Sequence, residues 1–340
     1  MNIGACPRDC DTIGEHFYAP VSMSQVDWLS HFLKIITVTG RLEVRCTYGA
    51  PWRVDWPRSE AHEIPYHIVL KGRAVIEDPQ TQTSRELTEG DIVLLPSGSA
   101  HVLHDGGGAE PGPVRDGEAA SGWMHMENDG PGERLDMLCG RFLIEPPHGR
   151  LIRDYLPANL VVKALNGHNA QSAESAANHL ASLVGLMRME STGGRLGGYA
   201  MLNVLTAALF TLVLRAASEA EQAPAGLLAL AGHPRLAPAI SAMFADPARP
   251  WNLPELAALC SMSRATFMRH FQDKLGRSAI DLLTDIRMSL AANALRQPGQ
   301  TTEAVAESVG YQSVAAFRRV FTDKMGMTPG QWRRQPGDGA

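Results

Sequence analysis

The segments SRATFMRHFQDKLG (Ser263–Gly276) and SVAAFRRVFTDKMG (Ser313–Gly326) lie fifty residues apart and share eight of fourteen positions. Both keep the opening Ser, two Phe with an Arg between them, and the closing Asp-Lys-x-Gly. A Ser whose hydroxyl accepts from the free N–H groups of a new turn opens a helix. Phe residues four apart then share one face of it. In each copy a short helix precedes, LPELAALC in the first and TTEAVAESVG in the second, where Gly310 supplies a tight turn. Phe267 and Phe271 are expected to face Leu256 and Leu259 across the first turn, and Phe317 and Phe321 to form the matching core of the second copy. Two short helices joined in this way make a helix-turn-helix, whose second helix enters the major groove of DNA by its N-terminal end.

The stretch between the copies, SAIDLLTDIRMSLAANALRQ, has apolar positions at helical spacing and stops before Pro298-Gly299. A helix of that length is roughly 30 Å long, close to the roughly 34 Å between successive major grooves on one face of DNA. One chain could therefore set two recognition helices in adjacent turns of one duplex. The charge agrees. The 340 residues carry −5 overall, yet residues 251–334 hold eleven Lys or Arg against seven Asp or Glu, leaving −9 for the rest. An acidic chain with one basic segment is no general nucleic-acid coat.

These residues resemble the AraC/XylS family of bacterial transcription regulators, whose signature is a tandem pair of helix-turn-helices joined by a long helix. The match runs from about residue 233 to 334 and is densest in VAESVGYQSVAAFRRVFTDKMGMTPGQWRR, with its Gly-Tyr turn, Phe-x-Arg-x-Phe and Gly-x-Thr-Pro. The resemblance implies double-stranded promoter DNA as partner, and RNA polymerase if the protein activates. Carried over by position, the base-facing residues are Ala265, Met268 and Arg269 in the first helix and Val314, Ala315, Arg318 and Arg319 in the second. Arg264 stands where it could reach a phosphate. Arg can bond guanine bidentately, whereas Ala, Val and Met offer only apolar contact, so the first helix is the poorer reader. The competing reading pairs Arg269 with Asp273 and Arg319 with Asp323, one turn on.

Upstream the pattern changes. From about Thr37 to Glu145, short β-branched runs broken by Gly, Pro and Asp read as an antiparallel barrel or sandwich. GDIVLLPSGSAH fits the second cupin motif, with Gly90, Pro96, Gly98 and His101 in place. The first motif is incomplete: YHIVLKGRAVIE keeps His67 and Gly72 but lacks the His-x-His pair and the Glu, which counts against a cupin metalloenzyme. The layout also resembles the regulator subgroup that includes sensors of reactive chlorine and related oxidants. That match makes Cys46 and Cys139 the redox pair, with His67 and His101 nearby. Two His and two Cys are also a ligand set for zinc or copper. The bland alternative is that each Cys is a small buried hydrophobe. For Cys6 and Cys10, in the N-terminal tail, an inert role is preferred.

The expected fold is thus α+β and multidomain. Residues 1–30 form a tail and 31–150 a cupin-like antiparallel β-barrel with a mobile loop at 105–132. Connecting or dimerisation helices follow at 151–222, and an all-α tandem helix-turn-helix domain at 230–334. Leu196–Leu214 carries no charge, but its Gly, Asn, Thr and Tyr suit a buried or dimer-forming helix better than a membrane span. No secretion signal is seen at the N-terminus, and a cytoplasmic homodimer is expected. Three functions compete: a redox-controlled DNA-binding regulator, a regulator sensing a small organic effector, and a cupin metalloenzyme with an appended helical module.

Overall fold

The computed structural model describes residues 27–117, 122–164, 175–220 and 223–335; Cys6 and Cys10 lie outside them. Helix α1 (Trp28–Ile35) opens the described chain. Ten strands follow: β1 (Val38–Gly49), β2 (Arg53–Trp56), β3 (Glu63–Lys71), β4 (Arg73–Asp78), β5 (Thr83–Thr88), β6 (Asp91–Leu94), β7 (His101–His104), β8 (Arg115–Gly117), β9 (Met124–Glu127) and β10 (Arg134–Ile144). Helix α2 (Gly149–Tyr155) and strand β11 (Leu160–Lys163) lead to the long helices α3 (Ala176–Glu190) and α4 (Gly198–Glu219). The rest is helical: α5 (Leu227–Ala231), α6 (Ala237–Ala245), α7 (Leu253–Leu259), α8 (Arg264–Leu275), α9 (Ala279–Arg296), α10 (Thr302–Ser308), α11 (Val314–Met325) and α12 (Pro329–Arg334).

The strands form two sheets, of order β11-β6-β3-β10-β1-β9-β8 and β2-β7-β4-β5. This differs from the expected closed barrel, because no ladder joins one sheet to the other among the described residues, and β9 pairs with β1 in parallel. The alternation of side chains explains the layering. In β3, His67 and Val69 point to the inner face shared with the small sheet, while Tyr66, Ile68 and Leu70 point outward, and all five are buried. A sheet apolar on both faces needs a cover on each. The outer face receives α1, α3 and α4, with Phe142 of β10 against Phe210 of α4 at 5.0 Å between ring centres.

Two stretches depart from the sequence expectation. The Gly- and Pro-rich segment 105–132 contributes β8 and β9 to the sheet edge, because pairing with β1 satisfies backbone that its side chains could not hold in place. Leu160–Lys163, placed among the connecting helices, instead adds a strand to β6. Helix α4 is the one described helix long and apolar enough to cross a membrane. Here Leu202, Leu209, Phe210 and Val213 are buried in the core that covers the large sheet.

The C-terminal half reproduces the tandem repeat. Ser263 and Ser313 cap α8 and α11, accepting from Thr266 N and Ala316 N at 3.2 and 3.3 Å. Phe267, Phe271, Phe317 and Phe321 are fully buried, as is Leu256, whereas Leu259 faces solvent. The turns differ in detail. Gly310 has φ +84 with Ala248 O only 2.1 Å from where a Cβ would stand. The first copy takes its positive φ one position later, at Ser261.

Candidate DNA-binding surface and sensor cluster

Helices α8 and α11 present their expected readers to solvent. Arg264, Ala265, Met268 and Arg269 are exposed on α8, and Ala315, Arg318 and Arg319 on α11. Val314 is half-buried against the core of the second unit. Among the described residues no ion pair joins Arg269 to Asp273 or Arg319 to Asp323; Arg318 bonds Glu303 at 3.0 Å. Arg269 and Arg319 therefore occupy the same exposed position in each repeat with their guanidinium groups uncommitted.

The second site lies between the sheets. Cys46 on β1 and Cys139 on β10 are buried with their sulfurs 4.0 Å apart. Cys139 pairs with Val44 across the ladder and Cys46 with Met137, so the two cysteines are diagonal neighbours on one face. On the other side Cys139 pairs directly with His67 of β3, whose Nδ1 is 3.1 Å from the thiol. His67 Nε2 lies 2.8 Å from His101 Nε2, which crosses from β7 of the small sheet. All four expected residues thus meet. Sequence reasoning missed two more. Trp56, paired with His101 across β2 and β7, stacks on that ring and meets His67 edge-on, and Tyr48 lies two residues beyond Cys46 on the same face. The alternation of β1 and β2 carried the signal for both.

The hydrogen bonds have a direction. Ser99 O can only accept, so His101 Nδ1, 3.0 Å away, donates to it. With that ring neutral its Nε2 accepts, His67 Nε2 donates, and His67 Nδ1 is left to accept from the Cys139 thiol. Burial pushes both imidazoles below their ordinary range, His67 far below, which keeps them neutral. The cysteines diverge. A hydrogen bond from Cys139 lowers the Cys46 thiol against the cost of its burial, while burial and then Cys46 push Cys139 well up. Cys139 owns one proton, and both Cys46 Sγ and His67 Nδ1 lie within reach of it. Cys46 is thus the more acidic thiol of the pair.

Among the described residues no group of three or more His, Cys, Asp or Glu is arranged to hold a metal ion. His67 spends one nitrogen on Cys139 and the other on His101, so the zinc or copper expectation finds no ligand set there.

Comparison with known proteins bears on both sites. The Cupin family matches residues 27–219, and the helix-turn-helix family matches residues 256–335. The chain is 28% identical over 310 residues to the RCS-specific HTH-type transcriptional activator RclR of Escherichia coli K12, covering 91% of this chain and 98% of that one. It is 28% identical over 315 residues to the HTH-type transcriptional regulator MtrA of Neisseria gonorrhoeae, covering 92% and 99%. The metalloenzyme reading gives way to these regulators. The chain belongs to the AraC-like transcription regulators in which a cupin domain precedes a DNA-binding helix-turn-helix domain.

Proposed function

We propose that this DNA-binding regulator is switched by reversible disulfide formation between Cys46 and Cys139. The observation that carries the reading is their 4.0 Å separation as a buried pair on adjacent central strands. With hypochlorous acid as oxidant, Cys46 thiolate takes chlorine and hydroxide leaves. The sulfur of Cys139 then displaces chloride, and the hydroxide released in the first step takes its proton to give water. Diagonal neighbours in a sheet stand with Cα atoms roughly 7–8 Å apart, beyond the roughly 4.4–6.8 Å a disulfide usually spans. Closing the bond therefore draws β10 along β1, and a shift of strands is what a downstream domain can read. The likeness to an activator named as RCS-specific supports this choice of oxidant class.

On the output side, Arg269 and Arg319 read bases, Arg318 joins them once released from Glu303, and Arg264 anchors to phosphate. Leu186 and Met189 of α3 with Met201 and Val204 of α4 expose an apolar strip that suits a second copy of the chain. The protein then acts in the cytoplasm as a homodimeric activator that meets RNA polymerase at the promoter. The test is a footprint on the DNA upstream of its own coding sequence, with and without hypochlorous acid. Protection should change with oxidant in the wild type and stay fixed in the Cys46→Ser/Cys139→Ser variant. A double variant that still responds sinks the redox switch and favours the second reading, an organic effector. A cavity of about 680 Å³ beside β11, lined by Leu160, Val162 and the C-terminal end of α4, is the observation on that side.

A further inference from the structure

The two recognition helices end in equivalent places, and the same carbonyl in each is held from outside the repeat. Lys274 and Lys324 lie fifty residues apart, one in the last turn of α8 and the other in the last turn of α11. Lys324 O accepts from Arg150 Nη1 of α2 at 2.7 Å. Lys274 O accepts from Gly226 N at 2.9 Å, and Gly226 sits so tightly on α2 that a Cβ there would stand 2.5 Å from Tyr155 O. Its φ of +94 completes the case for glycine. Helix C-termini carry unpaired carbonyls and partial negative charge, which a guanidinium or an N–H satisfies.

The rest of α2 tightens the grip. Asp154 pairs with Arg277, just past the end of α8, at 3.0 Å. Tyr155 donates to Asp285 Oδ2 at 2.5 Å on α9, and Asp285 Oδ1 meets Lys324 Nζ at 2.6 Å. Asp285 and Lys324 are mostly buried there, where charge pairs are screened little. Immediately before α2, His148 donates to Asn293 Oδ1 at 2.6 Å, and Asn293 donates in turn to Ile35 O at 2.9 Å. Arg150, Asp154 and Tyr155 of α2, with His148 just before it and Gly226 lying on it, thus touch the C-terminal ends of both recognition helices and the helix that joins them. The N-terminal ends, which carry the candidate base readers, lie at the opposite ends of α8 and α11 and stay open.

We propose that α2 is the output arm of the cupin domain: through Arg150, Asp154 and the Tyr155–Gly226 contact it holds both recognition helices by their far ends, so that one displacement of the sensor turns both together. The path is short. Strand β10 carries Cys139 and ends at Ile144, five residues before α2 begins. The idea rests on the redox reading only for the identity of the stimulus, since the grip itself is independent of what moves β10.

The test uses the full chain carrying Arg150→Ala and Arg277→Ala, both partly exposed positions outside the proposed base-reading surface. Hydrogen exchange without oxidant should speed up at the ends of α8 and α11 together, and unchanged protection at either end overturns the grip. Disulfide formation between Cys46 and Cys139 should proceed as in the wild type, showing that the stimulus arrives. The ratio of DNA affinities with and without hypochlorous acid should fall from the roughly 5- to 150-fold expected of allosteric coupling to within about twofold of unity. A ratio equal to wild type overturns the output role. A wild type that ignores oxidant removes the redox reading instead, and the exchange arm alone then decides the grip. Gly226→Ala gives a second variant, expected to release α8 while leaving α11 held; equal release of both ends contradicts the two-handed arrangement.

Discussion

Single side chains decide the sharpest outcomes. Arg269→Ala and Arg319→Ala should each weaken binding to the cognate DNA by about 1–3 kcal/mol and relax sequence preference, with unfolding unchanged, as read by titration against cognate and scrambled duplexes. His148 gives a pH signature. Burial holds it at about 4 in the fold, with the Asn293 bond opposing, whereas an unfolded imidazole titrates near 6.5. Its contribution to stability is complete above about pH 6.5 and is lost as pH falls toward about 4, at up to about 1.4 kcal/mol per unit. Burial of His67 and His101 acts in the same direction. Urea midpoints should drop between pH 7.5 and 5, roughly, and less steeply in His148→Gln. At this scale a repeat or motif marks where a residue stands, as for the exposed Arg319 and for His101 beside His67, while what each does is left to these tests. The sequence was silent on Asn293, whose partners Ile35 and His148 come from the cupin domain.

Among elements, the repeat was legible because capping, periodicity and turn chemistry all lie within a few residues of one another. Ser263, Ser313 and the Phe pairs therefore fell where the spacing puts them. Gly310 tests the turn: Gly310→Ala forces a Cβ onto Ala248 O and should cost more than about 1 kcal/mol in denaturant unfolding. Ser261→Gly should be neutral or stabilising, because the first copy holds a non-glycine residue at positive φ. The β elements were harder. Strands β8 and β9 carry little apolar signal and exist because β1 offers an edge, and β11 looks like linker until β6 lies beside it. Pairing across tens of residues leaves no local trace. The inner and outer faces of β3 could not be told apart by alternation either, since both are apolar.

At the scale of the molecule, the sequence drew one boundary near residue 230, and the apolar packing draws another. One continuous core runs from α1 and the outer face of the large sheet through α3 to α6, and on to Leu256, Phe267, Phe271 and the first half of α9. The second helix-turn-helix has its own core around Phe317, Phe321 and Trp332, capped by Leu295 and Met288 from the far half of α9. Cooperative units follow buried contacts rather than motif borders. Exchange measured under native conditions should therefore show α11 opening alone at modest cost, while α8 resists until the cupin layers give way. A fragment cut at the motif border would expose the face of α5, α6 and α8 that this shared core conceals, and should clump where the whole chain stays dispersed. Both groove readers are thus tethered at the far end, but only one has its flank planked into the hull, so denaturant should strip its twin away first.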